Sequence, residues 1–402
     1  MPHLRKRHAA TKFKLLSTAS PLIGLLGHRQ VGKTTFLEQH ANAYLTLDDK
    51  DTLARAAHDA PAFLSGIKTL GTAIDECQLC PSLFPAMKER VRLRKQPGQL
   101  FLSGSVRFTS KATIRESLTG RIMSVELLPM LLSELEDGDL PDLGPRALKW
   151  KFFSPHDLPF PNRKERVRRV KFIEKYLTHG GLPGACFMRS AALRKQRLLD
   201  QLDTIINRDF RQVYPTRISN DAIHEFISFL AKNDGAPLNQ SEIYRTLRLS
   251  PTSQKKILYG LEGVFLIRSL PIRGDVKGPA IFFEDQAEAL SLAEGALSPE
   301  SQWTGLVYRN LRGQFSYQTG FSGIFFQYRS RAGAIVPFAI SDPEGTLGVI
   351  ATPSAPTRKE VAAAHSFLRK YSNSKVIIVP KDGEPTVIDD RIAIVPATTL
   401  LF

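Results

Sequence analysis

Three cysteines in 402 residues cannot build a disulfide framework, and that scarcity points to a reducing compartment, the cytoplasm. Long apolar runs are missing too. The longest, such as Leu127 to Leu132, fall far short of the ~20 residues a membrane-spanning helix needs, so no membrane partner is expected. Acid is also in short supply: 39 Asp and Glu face 55 Lys and Arg, a formal net charge of +16. A chain this basic seeks polyanions, nucleic acid first and anionic surfaces second. The excess is local as well. Residues 163–171, RKERVRRVK, hold six basic groups against one acid, and the first fourteen residues hold five basic groups and none. Either run is a solvated face or a polyanion footprint. With 42% apolar and 23% charged residues the chain is globular, and its length calls for two or three domains.

Arg5-Lys6-Arg7 before LLSTASPLIGLLG imitates a signal peptide, but the apolar stretch runs straight into a phosphate-binding motif and serves better as a buried strand. Gly27-His28-Arg29-Gln30-Val31-Gly32-Lys33-Thr34 fits G-x-x-x-x-G-K-[ST]. LIGLL before it suits a buried parallel strand, and TTFLEQHANAY after it suits a helix whose N-terminus faces an anion. The motif implies ATP and Mg²⁺. Gly27, Gln30, Val31, Gly32, Lys33, Thr34 and Thr35 are the expected nucleotide contacts, with Lys33 on the β- and γ-phosphates and the Thr34 hydroxyl on the metal.

A nucleotide hydrolase also needs acids at a second strand end. TAIDECQLC supplies Asp75 and Glu76, or else Cys77 and Cys80 as a metal or redox pair. A zinc ribbon needs a second Cys pair or two suitably spaced His, and Cys186 stands alone with His179 nearest. The carboxylates therefore carry the chemistry: Asp75 holds Mg²⁺ through water and Glu76 polarises the attacking water. The adjacent pair is what P-loop hydrolases of the additional-strand type use. Cys77 and Cys80 are apolar filler. The strand GQLFLSGS ends in Ser103 and Ser105, either of which can sense the γ-phosphate, and Arg107, Arg115 and Arg121 follow as candidates for transition-state charge.

GHRQVGKTTFLEQ, YLTLDD, AIDECQLCPSLFPAMKE, FLSGSV, ESLTGRIMSVELLPMLLSEL, HGGLPGA and INRDF together resemble prokaryotic AAA-type ATP-binding proteins. Those proteins carry a C-terminal domain of unknown function with a winged helix and a restriction-endonuclease-like fold. The resemblance covers nearly the whole chain. It makes Arg121 and Arg208 the better functional arginines, with Glu76, Asp75 and Ser103 as the remaining catalytic set. His28 stands where the family usually has proline, and Cys77 where an aliphatic residue is usual.

The implied fold is α/β: an AAA-like P-loop domain over 1–136, its parallel sheet carrying an additional strand, a linking loop over 137–165, a helical lid over 166–220, a winged helix over 221–275 and a nuclease-like domain over 276–402. In the winged helix, Thr252, Gln254, Lys255 and, by charge, Arg245, Arg248, Lys256 and Arg268 are the expected DNA contacts. Such modules in ATPases also serve as lids or dimerisation elements. Three strand-like segments, a helix and a fourth strand after residue 320 follow the nuclease order, yet Arg309, Pro337, Ile350 and Thr352 occupy the positions of the metal-binding carboxylates and the lysine. No cleavage is expected. The rival reading is a nucleotide-gated protein-interaction module of the defence or toxin-antitoxin type, with little turnover, a protein partner and no DNA; an oligomer fits either.

Overall fold

The computed structural model describes residues 4–108, 116, 118–276 and 278–402. Five short strands come first: β1 (Leu22–Leu26), β2 (Ala43–Thr46), β3 (Thr72–Asp75), β4 (Leu100–Gly104) and β5 (Ile122–Glu126). They form one parallel sheet in the order β2-β3-β4-β1-β5. The additional strand, β4, therefore lies between the phosphate-loop strand and the acidic strand. β1, β3 and β4 read as continuous apolar runs because helices cover both faces of the sheet, and one apolar cluster packs on each side.

A second sheet takes in β6 (Ile267–Gly274), β7 (Pro279–Phe283), β8 (Ile324–Arg329), β9 (Ile335–Asp342), β10 (Gly345–Ala351), β11 (Ser374–Val379), β12 (Thr386–Asp389) and β13 (Ile392–Ile394), in the order β12-β13-β11-β10-β9-β8-β6-β7. β6 and β7 pair as a hairpin, and the far end of β6 runs parallel to β8. That hairpin spans residues 275 and 276, where a boundary between a winged helix and a terminal domain was expected. The backbone does not part there, because the pairing of β6 with β8 continues the sheet. Three helices, Asn220–Lys232, Gln240–Leu247 and Pro251–Gly263, precede the hairpin and share a core with Ile281 and Phe283 of β7.

The Pro- and Gly-rich stretch 137–165 contains the helix Leu143–Lys149 rather than loop alone. Pro145 sits in its first turn, where a missing N–H breaks no intrahelical bond, and Leu143, Ala147 and Leu148 are buried against the second sheet and its long helix Pro299–Tyr317. The basic run 163–171 opens the helix Arg163–His179, capped reciprocally by Asn162 and Glu165. Its inner arginines face carboxylates: Arg166 meets Asp382 at 2.9 Å, while Arg168 and Arg169 reach Glu136 at 2.6 and 3.8 Å. Ile173 and Tyr176 of the same helix join the C-terminal core. A helix expected to open the lid is thus built into the second sheet's packing.

Between the two sheets lies a cluster of buried charge. Arg312 bonds both Glu126, at the end of β5, and Glu284, after β7; Arg268 of β6 bonds the same two carboxylates. Beside it Arg309 donates to Asp234 at 2.7 Å, to the Phe283 carbonyl at 2.8 Å and to Gln286 at 2.7 Å. Arg309 therefore points into the joint between helices, away from any metal role. Removing one partner of a buried pair leaves the other uncompensated, so Arg309→Met is expected to lower stability by about 3–5 kcal/mol in chemical denaturation, while Arg309→Met with Asp234→Asn restores much of the loss.

Candidate functional site

The site is assembled at the carboxyl ends of β1, β3 and β4. Register does the first part of the work: Ile74 pairs with Leu102, so the next residue, Asp75, arrives beside Ser103, while Thr46 of β2 pairs with Asp75 on the other side. Four donors converge on that one buried carboxylate. Thr34 Oγ1 and the Tyr44 hydroxyl donate to Oδ2, each at 2.6 Å; Ser103 Oγ and the Glu76 N–H, the latter at 3.0 Å, donate to Oδ1. The hydroxyl of Thr34 and the carboxylate of Asp75 are thus already in contact, a donor pair of the hard oxygen kind that suits Mg²⁺.

The phosphate loop curls above this pair. Gly27 and Gly32 have φ of 153° and 97°, and a Cβ on Gly27 would come within 2.3 Å of the Leu127 carbonyl oxygen. Gln30 is also left-handed, and Val31 is fully buried. Lys33 is buried, with Nζ donating to the carbonyls of Gly27 at 3.0 Å and His28 at 2.9 Å. Burial lowers its pKa, and Glu76 and Asp75 work against that fall. Glu76 adopts a left-handed backbone, φ 54°, directly after the strand. Burial raises its carboxyl pKa, opposed by Lys33 and by the amide of Gln78, which bonds it. Gln78 lies 3.5 Å from Ser105 Oγ as well, so it bridges the acid to the next strand end. The sequence reading gave neither Gln78 nor Tyr44 a role; a tyrosine in YLTLDD beside the acidic strand was the available signal for the latter.

The arginines separate clearly. Arg208 sits on a π-helical turn, Ile205–Phe210, and reaches Asp48 at 3.4 Å, so it borders the phosphate loop; its neighbour Asp209 pairs with Arg29 at 3.1 Å. Arg121 precedes β5 at the opposite end of the sheet, where Ile122 pairs with Leu22. The five-residue length of β1 puts it about 16 Å from the loop, so it does not reach the site in its own chain. Arg107 turns away toward Glu262. Arg115 lies outside the described residues.

A pocket of about 300 Å³ opens beside the loop, lined by Thr35, Gly32, Leu4, Arg7, Met130 and Pro183 among others. One wall is Pro183 of HGGLPGA, a stretch the sequence quoted only as resemblance, with Phe187 and Met188 after it. Asp285, fully buried, holds that wall: Oδ2 accepts from Gly181 and Leu182 N–H at 2.7 and 3.1 Å, and Oδ1 from Ala287 and Glu288 N–H at 2.9 and 3.1 Å. The same helix, Gln286–Leu292, presents Glu288 to the buried His28 at 3.2 Å. Burial works to lower the His28 pKa, but Glu288 outweighs it and the pKa is raised.

On the helices Gln240–Leu247 and Pro251–Gly263, Arg245, Arg248, Thr252, Lys255 and Lys256 are exposed, as are Tyr244 and Tyr259. Gln254 is not. It is fully buried and donates to the carbonyls of Gln240 at 3.0 Å and Leu249 at 2.8 Å, clamping the two helices, so it cannot read a base. Arg268 is likewise engaged in the charge cluster. Pro337 and Ile350 line a cleft of about 520 Å³ with Arg329, Lys359 and Arg369 at its sides. Among the described residues no group of three or more His, Cys, Asp or Glu is placed to hold a metal ion.

Residues 19–136 match a family model described as an AAA domain, and residues 170–273 match a domain of unknown function. The N-terminal domain is an AAA-type P-loop fold. Uncharacterized proteins of Mycobacterium bovis and Mycobacterium tuberculosis are each 25% identical over 270 residues, 66% of this chain and 53% of theirs, so the chain spans about half the length of these curated relatives. A signal-transduction ATPase with numerous domains and a tetratricopeptide repeat sensor, from Pyrococcus horikoshii, aligns at 16% identity over 77% of this chain and 47% of its own, with a TM-score of 0.25.

The AAA-type domain keeps its acid pair apart from reactive sulfur. Cys77, Cys80 and Cys186 are buried and free, Cys77 donating to the Ser103 carbonyl at 3.1 Å. Burial raises the Cys77 thiol and pushes Cys186 up to about 12. All three are expected to resist iodoacetamide in the native protein and to label fully only after denaturation, as read by intact mass.

Proposed function

We propose that the protein binds ATP with Mg²⁺ and hydrolyses it, and that nucleotide state governs a basic C-terminal scaffold that binds DNA without cutting it. The observation that carries the first half is the contact of Thr34 with Asp75 beneath Lys33, with Glu76 one residue on. Thr34 and Asp75 would hold the metal, which when bound supplies charge neutralisation at the phosphates. The Lys33 ammonium exchanges two carbonyls for phosphate oxygens, and its cation is then matched by a strong anion. Glu76, held by Gln78, accepts the proton of the attacking water. Ser103 exchanges part of its bond to Asp75 for the γ-phosphate. The apolar pocket between Leu4, Met130 and Pro183 takes the base, and Arg208 sits at the rim where charge develops. Arg121 can serve only across a subunit boundary.

Glu76→Gln is expected to lower ATP turnover by about a hundredfold or more while a fluorescent ATP analogue still binds. Since only the ionised carboxylate accepts a proton, and its pKa is raised by burial, wild-type turnover falls with falling pH through a value above the ordinary glutamate range. Rates equal to background in both proteins would remove the hydrolase reading.

The DNA half draws on the three helices and hairpin in winged-helix order and on a face bearing Arg245, Arg248, Lys255 and Lys256. The loss of carboxylates at Arg309, Pro337 and Ile350 supports binding without cleavage. The rival protein-interaction reading draws on exposed Tyr244 and Tyr259 and on the internal pairing of the 163–171 run. Duplex affinity is expected to fall with salt at a slope of about −0.9 per phosphate contacted, and Lys255→Glu with Lys256→Glu to reduce that slope, with plasmid left intact in Mg²⁺. No binding at low salt sinks the DNA reading in favour of a protein partner.

A further inference from the structure

The strand that brings Ser103 to the site continues out of it. Ser105 and Val106 are buried, and Val106 packs in the helical core with Ile257 and Leu261. The chain then closes on the last turn of the helix Pro251–Gly263. The Arg107 N–H donates to the Gly263 carbonyl at 2.8 Å, and Nε donates to the Glu262 carbonyl at 2.9 Å. The guanidinium carbon lies 4.5 Å from the centre of the Phe265 ring, and Nη2 stands 3.7 Å from Glu126. Glu126 in turn pairs in register with Leu26, the residue before Gly27. One arginine is therefore tied to the strand end beside the phosphates, to the strand next to the phosphate loop, and to the C-terminal turn of the helix that carries Thr252, Lys255 and Lys256.

We propose that Arg107 is a positioning residue that transmits occupancy of the nucleotide site to the helix Pro251–Gly263. The proposal rests on the nucleotide reading above. The Ser103 hydroxyl donates to Asp75; a γ-phosphate would offer it a second acceptor, giving the strand end two arrangements to choose between. The five residues from Ser103 to Arg107 run through packed interior, which moves as a piece rather than yielding locally. Arginine suits the far end because its planar fork reaches a carbonyl and a carboxylate while its face lies on an aromatic ring. Lysine offers a point charge without that geometry. A cation at a helix C-terminus also complements the exposed carbonyls there.

The test uses hydrogen exchange of the full chain with and without a non-hydrolysable ATP analogue, with analogue affinity measured in parallel by fluorescence. In the wild type the analogue is expected to change exchange over residues 258–266 by about fivefold or more. Arg107→Lys is expected to bind the analogue with unchanged affinity and to lose that change; Arg107→Ala should do the same, and if it misfolds the lysine variant decides. The readout is the nucleotide-dependent difference, which a merely structural role of Arg107 leaves in place. An undiminished change in Arg107→Lys, or wild-type protein that binds the analogue with no change in the helix, overturns the relay while the nucleotide site stands. Failure of the wild type to bind the analogue overturns the nucleotide reading, and the relay with it.

Discussion

Glu126 closes the last strand of the first sheet, and its carboxylate is held by Arg268 of the second sheet and by Arg312 of the helix Pro299–Tyr317. Glu284 repeats the arrangement from the other side. Charge buried at such a joint is tolerable only when each carboxylate meets a guanidinium, so the two sheets cannot slide or separate without exposing unpaired ions. Attraction to these guanidinium groups overcomes burial and holds both carboxyls below the usual carboxylate range. The joint fixes where β6 lies, and β6 fixes the three helices packed before it. The phosphate loop, one residue beyond the partner of Glu126, is thereby placed against the C-terminal half of the molecule.

That placement explains why the site is not confined to the AAA-type domain. The wall HGGLPGA hangs from Asp285, and His28 of the phosphate loop faces Glu288 three residues further along. A histidine where the resembling family usually has proline gains a carboxylate partner because this helix is there. The arrangement of the acids is set within the sheet, by strand register, while the pocket beside the phosphate loop is closed on one side by Pro183, Phe187 and Met188.

The C-terminal half shows the opposite relation between shape and chemistry. The cleft beside Pro337 and Ile350 remains open, and its charged lining mixes the cations Arg329, Lys359 and Arg369 with the acids Glu300 and Glu360, while Asp234 is taken by Arg309. Arg309 serves the joint with Asp234, which makes its exchange for an acid costly: a carboxylate there would stand beside a buried carboxylate with no cation between them.

Much of the candidate site's geometry was legible in the linear chain because it follows from short-range rules. A glycine-rich loop between an apolar strand and a helix, two acids at a strand end and a serine at the next are each contained in one short local stretch, and a parallel sheet brings strand ends together whatever surrounds them. That Arg309, Pro337 and Ile350 are not carboxylates was equally plain, since a missing acid needs no partner to be seen. What could not be read were contacts whose two ends lie far apart in sequence. Gln254, polar and near a helix start, has the look of an exposed contact, yet its amide satisfies carbonyls 14 and 5 residues away in a sealed interior. Leu143–Lys149 is short and rich in helix breakers, and only burial against the second sheet holds it as a helix. The resemblance favoured Arg121 over Arg107, and the position of Arg121 at the far end of the sheet could not be read from the linear chain. The sequence by itself determined which atoms can do phosphate chemistry, because that depends on local backbone and side-chain type. Tertiary structure alone decided which charges are free and which are locked in pairs, because a buried ion takes its role from the partner that folding brings to it.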